Sequence, residues 1–278
     1  SFSYEELAEI RHYIHQHPEL SGQEYQTTAF LRERLEELGI RILESGLKTG
    51  LIAEIGSGQP VVALRADIDA LPILEQTNLP YQSQHPGVMH ACGHDFHQTS
   101  LLGAAALLKE KEDQLEGTIR LIFQPAEEIS EGASDVLATG LLEDVQGIIG
   151  FHNMPQLKAG QLALNAGAMM AGVEKFKVTV TGVSSHAARP DLGVDTVTAV
   201  TTMVQNVQLL ISRTISPFET AVLSITHLDV GSTWNVLPKS GYFEGTIRSF
   251  NPSVQRELKE HFISIIRHIA ESLEVDVA

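Results

Sequence analysis

Positive charge and cysteine are both scarce in this sequence. Lysine and arginine together number 19 against 35 aspartates and glutamates, so the formal net charge is -16. A field of that sign repels nucleic-acid phosphates and anionic lipid surfaces, which argues against nucleic acid or membrane as a partner. The single cysteine cannot form an intramolecular disulfide, and the N-terminus lacks the basic-then-apolar layout of a secretory signal. Together these absences predict a cytoplasmic protein.

Long apolar runs and low-complexity tracts are also missing. No run approaches the roughly 18 apolar residues needed to span a bilayer. Hydrophobic residues make up 43% and charged residues 19% of the chain, which is the profile of an ordinary globular protein. A length of 278 residues exceeds the size at which a single core usually stops growing, so two domains are expected.

The first part of the chain alternates helical and strand patterns. Apolar residues recur at helical spacing over 3–16 and 26–38, and helix-like stretches return at 98–112 and 132–142. Between them lie short apolar runs that are typical of buried parallel strands: "LIAEIG", "PVVALRADIDA", "GTIRLIFQPAEE" and "GIIGFHN". Residues 1–170 are therefore predicted to form an α/β domain, a mixed, mainly parallel sheet sandwiched by helices.

The pattern changes after about residue 170. "EKFKVTVTGV" alternates like an antiparallel strand, and helices are predicted over 194–213 and 252–272. "TAVLSITHLDV" and "SGYFEGTIRSF" form a predicted strand pair between them, and "EVDVA" begins another strand. The order β-α-β-β-α-β predicts a second, ferredoxin-like domain over residues 171–278.

Side chains that can bind metal follow several of the predicted strands. Ligands of open α/β sheets bind outside the carboxyl ends of the strands, where loops from separate strands meet. Residues of suitable type occupy these ends and the loop before helix 98–112: Asp67, Asp69, Cys92, His94, Asp95, His97, Glu127, Glu128 and His152. Agreement of residue type with topology predicts a zinc- or manganese-type site that keeps an open position for water.

Two short spacings within this set suggest distinct roles. Cys92 and His94 are two residues apart, so in an extended loop their side chains project to the same side and can share an ion. The neighbouring Glu127 and Glu128 point different ways, so that one can bind metal and the other can accept a proton from water.

Other interpretations of these residues remain open. Cys92 could be a small buried hydrophobe, or a nucleophile of a metal-free amidase with His94 or His97 as its base. Asp67 could be structural and accept backbone amides. The other histidines are interpreted as supporting residues (His90 and His97) or as solvated ones (His12, His15, His17 and His85).

Five stretches together resemble the signature series of the M20 metallopeptidase family. They are "RADIDALP" (65–72), "MHACGHDFH" (89–97), "IFQPAEE" (122–128), "GFHN" (150–153) and "SSHAARP" (184–190). The resemblance covers essentially the whole chain and is closest to the amidohydrolase branch, with its N-acyl-amino-acid deacylases, N-acetyl-diaminopimelate deacetylases and auxin-conjugate hydrolases. It implies a catalytic domain interrupted by a βαββαβ lid that forms a homodimer. It also implies hydrolysis of an N-acyl amino acid, foremost N-acetyl, to a carboxylate and a free amino acid.

The same resemblance implies a centre of two divalent ions, Zn, Mn, Ni or Co. Cys92 would bridge the ions, and His94, Glu128 and His152 would be further ligands. Glu127 would be the general base for a hydroxide held between the ions.

Further roles are implied around that centre. Asp69 would orient a metal ligand, whereas Asp67 stands where peptidases carry a ligating histidine and is not assigned as a ligand. His186 would reach the partner subunit's site and polarise the substrate carbonyl. Asn235 of "WNVLP" and Arg248 of "GTIRSF" would meet the substrate's carbonyl or carboxylate, unless they are an ordinary turn residue and a solvated strand residue.

The chain departs from the family pattern at its C-terminus. The family returns to the catalytic domain after the lid and there supplies a glycine-rich segment and a last histidine ligand. This sequence begins with Ser and stops at Ala278 within the lid, so we expect it to be part of a longer gene product. The alternative function is an inactive fragment or degenerate member that binds acyl amino acids without turnover.

Overall fold

Six α-helices and eleven strands build the chain in the computed structural model, which describes residues Ser1–Ala278. Contacts divide them into two units, Ser1–Gly160 and Gln161–Ala278. The helices are α1 (Tyr4–Gln16), α2 (Tyr25–Glu37), α3 (His94–Glu110), α4 (Gly132–Ala138), α5 (Thr196–Val207) and α6 (Pro252–Ser272). The strands are β1 (Arg41–Ile42), β2 (Leu51–Ser57), β3 (Val61–Asp67), β4 (Gly117–Gln124), β5 (Val145–Gly150), β6 (Gly172–Thr181), β7 (Ser185–His186), β8 (Ala221–Val230), β9 (Val236–Leu237), β10 (Ser240–Ser249) and β11 (Asp276–Val277). No helix is both long enough and apolar enough to cross a bilayer.

The sheet of the first unit is mixed, with strand order β1-β2-β4-β3-β5. β3 runs parallel to both β4 and β5, whereas β2 is antiparallel to β4. The prediction of a parallel strand for "LIAEIG", which is β2, was therefore wrong. A strand buried on both faces has the same apolar run in either direction, so its sequence does not reveal its orientation.

Helices cover both faces of this sheet, and β4 shows why. Along it, Leu121 and Phe123 belong to a core shared with α1, α2 and α3, whereas Ile122 packs with Val136 of α4. Successive residues of a strand point to opposite faces, so β4 needs apolar residues at nearly every position. The predicted α/β sandwich is confirmed for this unit.

β5 differs from its prediction as a buried strand. It is an edge strand of this sheet, and Ile148 and Ile149 are 55% and 69% exposed. Burial of an apolar run depends on what packs beside it, and the run itself carries no information about that neighbour.

The second unit is built on an antiparallel sheet of order β11-β6-β10-β8. α5 and α6 contribute to its core, where Met203, Phe243 and Leu258 are fully buried. The long elements follow the predicted order β-α-β-β-α-β. The short strands β7 and β9 pair with each other outside that sheet.

Candidate metal centre

The residues predicted to bind metal in the first unit come together at one edge of its sheet. β3 ends at Asp67, which pairs with Gln124 at the end of β4. β5 ends at Gly150, just before His152. Because these three parallel strands end at the same edge, their loops meet there.

The segment before α3 differs from the predicted extended loop. His94 and His97 belong to the first turns of α3, and Gly93 before them has a left-handed backbone with φ 85°. A Cβ added at Gly93 would lie 2.2 Å from Oδ1 of Asn153. Glycine is needed here both for the turn and for the space that it leaves.

His94 lies at the centre of the cluster and is fully buried. Its Nδ1 is 3.2 Å from Oδ1 of Asp69, which is the orienting contact that the sequence predicts. Its Nε2 has no hydrogen-bond partner and lies 3.5 Å from Oδ2 of Asp67, 3.5 Å from Oε1 of Glu128 and 3.7 Å from Oε2 of Glu127. Burial disfavours the imidazolium, but Asp69 and these carboxylates raise the pKa of His94.

Cys92 faces His152 across the cluster. Its Sγ lies 3.4 Å from Nε2 of His152, and the ligand atoms of Cys92, His94 and His152 all lie within 4.8 Å of one another. Burial and the hydrogen bond with Glu128 raise the pKa of the Cys92 thiol to about 12. Nucleophilic cysteines need a lowered pKa, so this environment disfavours the metal-free amidase. The nearest imidazole is also that of His152 rather than the predicted base, His94 or His97.

Glu127 and Glu128 occupy different environments despite being neighbours. The Glu127 side chain is 39% exposed, and burial together with the charge of Glu128 raises its pKa. The Glu128 side chain is 21% exposed, with Oε1 buried and without a hydrogen bond. The residue before them, Ala126, has a positive φ of 49°, which is unusual outside glycine. The two carboxylates nevertheless reach the same point, since Oε2 of Glu127 and Oε1 of Glu128 lie 3.7 and 3.5 Å from Nε2 of His94, so their separate roles stay a prediction.

The donor set fits a divalent cation. Nε2 of His94 and Oε1 of Glu128 are both buried without hydrogen bonds and lie 3.5 Å apart. Burying such groups without partners costs free energy, and a bound cation would satisfy both. A thiolate, imidazoles and carboxylates together suit borderline ions such as Zn²⁺, Co²⁺ and Ni²⁺ and remain compatible with Mn²⁺.

Asp67 is a structural carboxylate, but its partners differ from those expected. It is almost fully buried and accepts hydrogen bonds from Nη1 of Arg65 at 2.9 Å and from Nδ1 of His97 at 2.6 Å, rather than from backbone amides. Burial opposes its charge, yet the hydrogen bond from His97 and the charges of His94 and Arg65 lower the pKa of Asp67 to about 2. His97 is thus a supporting residue, as predicted.

Two residues of the N-terminal segment, Ser21 and Glu24, hold groups of this site in place and were not predicted from the sequence. Ser21 donates a hydrogen bond to Oδ2 of Asp69 at 2.6 Å. Glu24 is fully buried and accepts from the backbone N–H of Ala126 at 2.9 Å, from Gly22 at 2.8 Å and from the Thr49 hydroxyl at 2.6 Å. An acidic residue just before a helix is common, so its position before α2 gave no sign of this contact.

The three predicted substrate residues lie in the second unit. His186 of β7 is exposed, and its Nδ1 accepts the backbone N–H of Ala188 at 3.0 Å. Asn235 is its near neighbour, because the N–H of Ala187 donates to its backbone oxygen at 3.0 Å. Arg248 is exposed on β10. The structure thus brings His186 and Asn235 together on the short β7–β9 pair.

The prediction that His15 is solvated was wrong. His15 is 5% exposed, with Nδ1 2.9 Å from Oδ2 of Asp95 and Nε2 3.0 Å from Oε1 of Glu75. Arg11 also donates to Asp95, at 3.2 Å, and the buried ring of His90 lies 6.5 Å from that of His15. Both carboxylates come from segments remote in sequence, which a helical pattern cannot reveal.

Replacing His15 with Gln is expected to destabilise the protein by about 3 kcal/mol, because one partner of a buried ionic network is lost. Burial opposes the imidazolium, but Asp95 and Glu75 raise the pKa of His15 above its ordinary 6.5. The charged form is therefore favoured in the folded state. The stability difference between the wild type and His15→Gln should be full below pH 6.5 and shrink as pH rises through the raised pKa. Urea unfolding at a series of pH values measures it.

His17→Gln is the matched control, because His17 is only partly buried and its ring contacts the backbone oxygen of Tyr13 on the same helix. It should change stability by less than about 1 kcal/mol. A difference for His15→Gln that stays constant with pH would show that the pKa of His15 is the same in the folded and the unfolded protein, which would contradict the prediction.

Comparison with known proteins shows which family the sequence matches. The model of peptidase family M20/M25/M40 matches residues 63–276. The N-acetyl-L-cysteine deacetylase of Bacillus subtilis (strain 168) is 46% identical over 272 residues, which are 97% of this chain and 65% of that protein. IAA-amino acid hydrolase ILR1-like 5 of Arabidopsis thaliana is 41% identical over 258 residues, 92% of this chain and 59% of that protein. The chain therefore spans somewhat less than two thirds of the length of these relatives.

A solved structure agrees with the sequence relatives. The YXEP protein of Bacillus subtilis, described as a dinuclear metal binding peptidase from the M20 family, superposes with a TM-score of 0.82 at 42% identity. The match covers 98% of this chain and 71% of that chain.

Proposed function

The chain belongs to peptidase family M20/M25/M40, and we propose that it is a metal-dependent amidohydrolase that cleaves N-acyl amino acids. The observation that carries the proposal is the buried, unpaired Nε2 of His94, which faces three carboxylates beside Cys92 and His152. The activities named for the related deacetylase of Bacillus subtilis and the related hydrolase of Arabidopsis thaliana support the substrate class. The predicted products are a carboxylate and a free amino acid.

Cys92, His94, Glu128 and His152 are the proposed metal ligands. The description of the Bacillus subtilis protein as dinuclear supports a site for two ions. The donor set does not decide whether the metal is Zn, Mn, Ni or Co. When bound, such ions supply Lewis acidity, which lowers the pKa of water and polarises an amide carbonyl. Asp69 holds the His94 ring from behind, so that Nε2 keeps its lone pair directed into the cluster.

Glu127 is the proposed general base. Its carboxylate is partly exposed, and Oε2 reaches the centre of the cluster, 3.7 Å from Nε2 of His94. Its raised pKa favours accepting a proton from water and passing it to the leaving amine. The exposed side of the carboxylate is where substrate and water can approach.

Roles in the second unit extend the proposal. Residues 1–170 are proposed as the catalytic domain and residues 171–278 as a lid that forms a homodimer. His186 would polarise the substrate carbonyl in the partner subunit, and Asn235 and Arg248 would meet the substrate's carbonyl or carboxylate. The pairing of β7 with β9, which sets His186 beside Asn235, supports a shared role for those two residues. The predicted cytoplasmic location stays a prediction.

Removal of divalent metal is expected to abolish hydrolysis. The protein is dialysed against EDTA and assayed with a panel of N-acetyl and longer N-acyl amino acids, before and after addition of Zn²⁺, Mn²⁺, Co²⁺ or Ni²⁺. Elemental analysis at each stage relates turnover to bound metal. Activity that returns with one or more of these ions supports the proposal, and the panel identifies the preferred acyl group.

Hydrolysis that persists in protein shown to hold no metal would overturn the metal-dependent mechanism. Tight metal binding without turnover on any N-acyl amino acid would instead favour the alternative, a member that binds acyl amino acids without cleaving them.

A further inference from the structure

We infer that His97 is a positioning residue for His152, acting through Asn153, an inference that rests on the proposed role of His152 as a metal ligand. The observation is a continuous chain of hydrogen bonds that runs from the rigid end of β3 to the exposed loop after β5. It links Asp67, His97, Asn153 and His152 in that order.

The link from His97 to Asn153 holds in either protonation state of the ring. His97 is 1% exposed, and its Nδ1 lies 2.6 Å from Oδ1 of Asp67, to which it donates. When Nε2 is unprotonated, it accepts the backbone N–H of Asn153 at 3.0 Å. When Nε2 is protonated, it can donate to Oδ1 of Asn153 at 2.7 Å. The ring therefore connects β3 to the loop in both states.

Asn153 in turn determines which nitrogen of His152 faces the cluster. The backbone oxygen of Asn153 can only accept, so Nδ1 of His152, 2.8 Å away, carries the hydrogen. Nε2 is then left with its lone pair, and it lies 3.4 Å from Sγ of Cys92. Ligating histidines commonly donate their second N–H in this way, which sets the tautomer and the ring orientation.

His97 also contacts the loop that carries His152 directly. Its ring lies edge-on to the ring of His152, with centroids 4.6 Å apart, and to the ring of Phe151, with centroids 5.3 Å apart, so the hydrogen bonds to Asn153 act together with direct ring packing. At the other end, Arg65 donates to Asp67 at 2.9 Å, so the anchor on β3 is itself held.

Three substitutions at position 97 distinguish the contact with Asp67 from the contact with Asn153. His97→Phe keeps a ring against Phe151 and removes both hydrogen bonds. A Gln side chain places its amide near the position of Nε2 and keeps the contact with Asn153, whereas an Asn side chain places it near Nδ1 and keeps only the contact with Asp67. If His97 positions His152, metal affinity should be kept in the variant that keeps the contact with Asn153 and should fall in the two variants that lose it.

The test measures binding of Co²⁺ to the protein by competition with a chromophoric chelator, with the thiolate-to-cobalt absorption of Cys92 as a second readout of the ligand set. His97→Phe and His97→Asn are expected to weaken Co²⁺ binding about 10- to 100-fold, the range found when the partner behind a ligand is lost. His97→Gln is expected to stay close to the wild type.

Arg120→Gln is the control for stability alone. Arg120 is a buried side chain of β4 that bridges Glu54 at 3.0 Å and Asp144 at 2.6 Å, away from the cluster. It should lower the free energy of unfolding and leave Co²⁺ affinity unchanged. Thermal unfolding of every variant shows whether affinity and stability change separately.

The outcomes distinguish this inference from the proposed function. Equal Co²⁺ affinity in the wild type, His97→Phe and His97→Asn would overturn the positioning role and leave the metal site intact. A loss in His97→Gln as large as in His97→Phe would assign His97 a merely structural role. A wild-type protein that binds no Co²⁺ would contradict the metal site itself.

Discussion

Glu127→Gln is expected to lower kcat for N-acyl amino acid hydrolysis by about 10²- to 10⁴-fold, the usual contribution of a general base. Glutamine has nearly the same shape but cannot take a proton from water. The Glu127 side chain is partly exposed, and the hydrogen bond from the N–H of Ser130 goes to its backbone oxygen, which glutamine keeps, so the substitution should leave the fold unchanged. The measurement is kcat on the best substrate of the panel, together with metal content by elemental analysis, which should equal that of the wild type.

Glu131→Gln is a suitable control, because Glu131 is an exposed glutamate of the same turn region and makes no side-chain cap to α4. It should retain wild-type turnover. If Glu127→Gln turned over substrate at a rate within a few-fold of the wild type, with metal fully bound, another group would have to be the base.

Substitution of Cys92 is expected to have its largest effect on metal affinity. Cys92→Ala removes a proposed ligand, and the loss of affinity should exceed the 10- to 100-fold change that is found when only the partner behind a ligand is lost. Cys92→Asp replaces the thiolate with a carboxylate, which also binds divalent ions, so part of the affinity and of the hydrolysis should return. Competition with a chelator and kcat on the same samples measure both effects.

The same pair of variants tests the nucleophile alternative. An aspartate in place of the thiol would not rescue a cysteine amidase, and loss of the nucleophile would leave metal binding unaltered. Hydrolysis lost equally in both variants, with wild-type metal affinity, would favour that alternative over a ligand. The high pKa of the half-buried thiol, about 12, argues that Cys92 needs a cation before it can act as a thiolate.

Most of the fold follows from periodicity in the sequence. The helix predicted over 26–38 is α2, Tyr25–Glu37, and the order of elements along the second unit is the predicted β-α-β-β-α-β. The helix predicted over 98–112 begins earlier, at His94, because His94, Asp95 and His97 are polar yet buried and so interrupt the apolar pattern. Local pattern locates elements well, but it does not show which polar residues a fold will bury.

The same limit applies to the site. The rule that strand ends meet was sufficient to bring Cys92, His94, Glu128 and His152 together. It could not identify His15, Glu24 or the chain through His97, since each of these contacts joins segments far apart in sequence. Their side chains are ordinary choices for a helix or for a helix start, and only tertiary packing gives them partners.

The contact between Glu24 and the amide of Ala126 bears on how the protein folds. The two residues are 102 positions apart, and contacts of that separation form slowly because a long loop must close first. Ala126 directly precedes Glu127, so this hydrogen bond links the turn that carries the proposed base to the start of α2. A nascent chain that has not yet exposed the turn after β4 leaves the buried carboxylate of Glu24 without that partner.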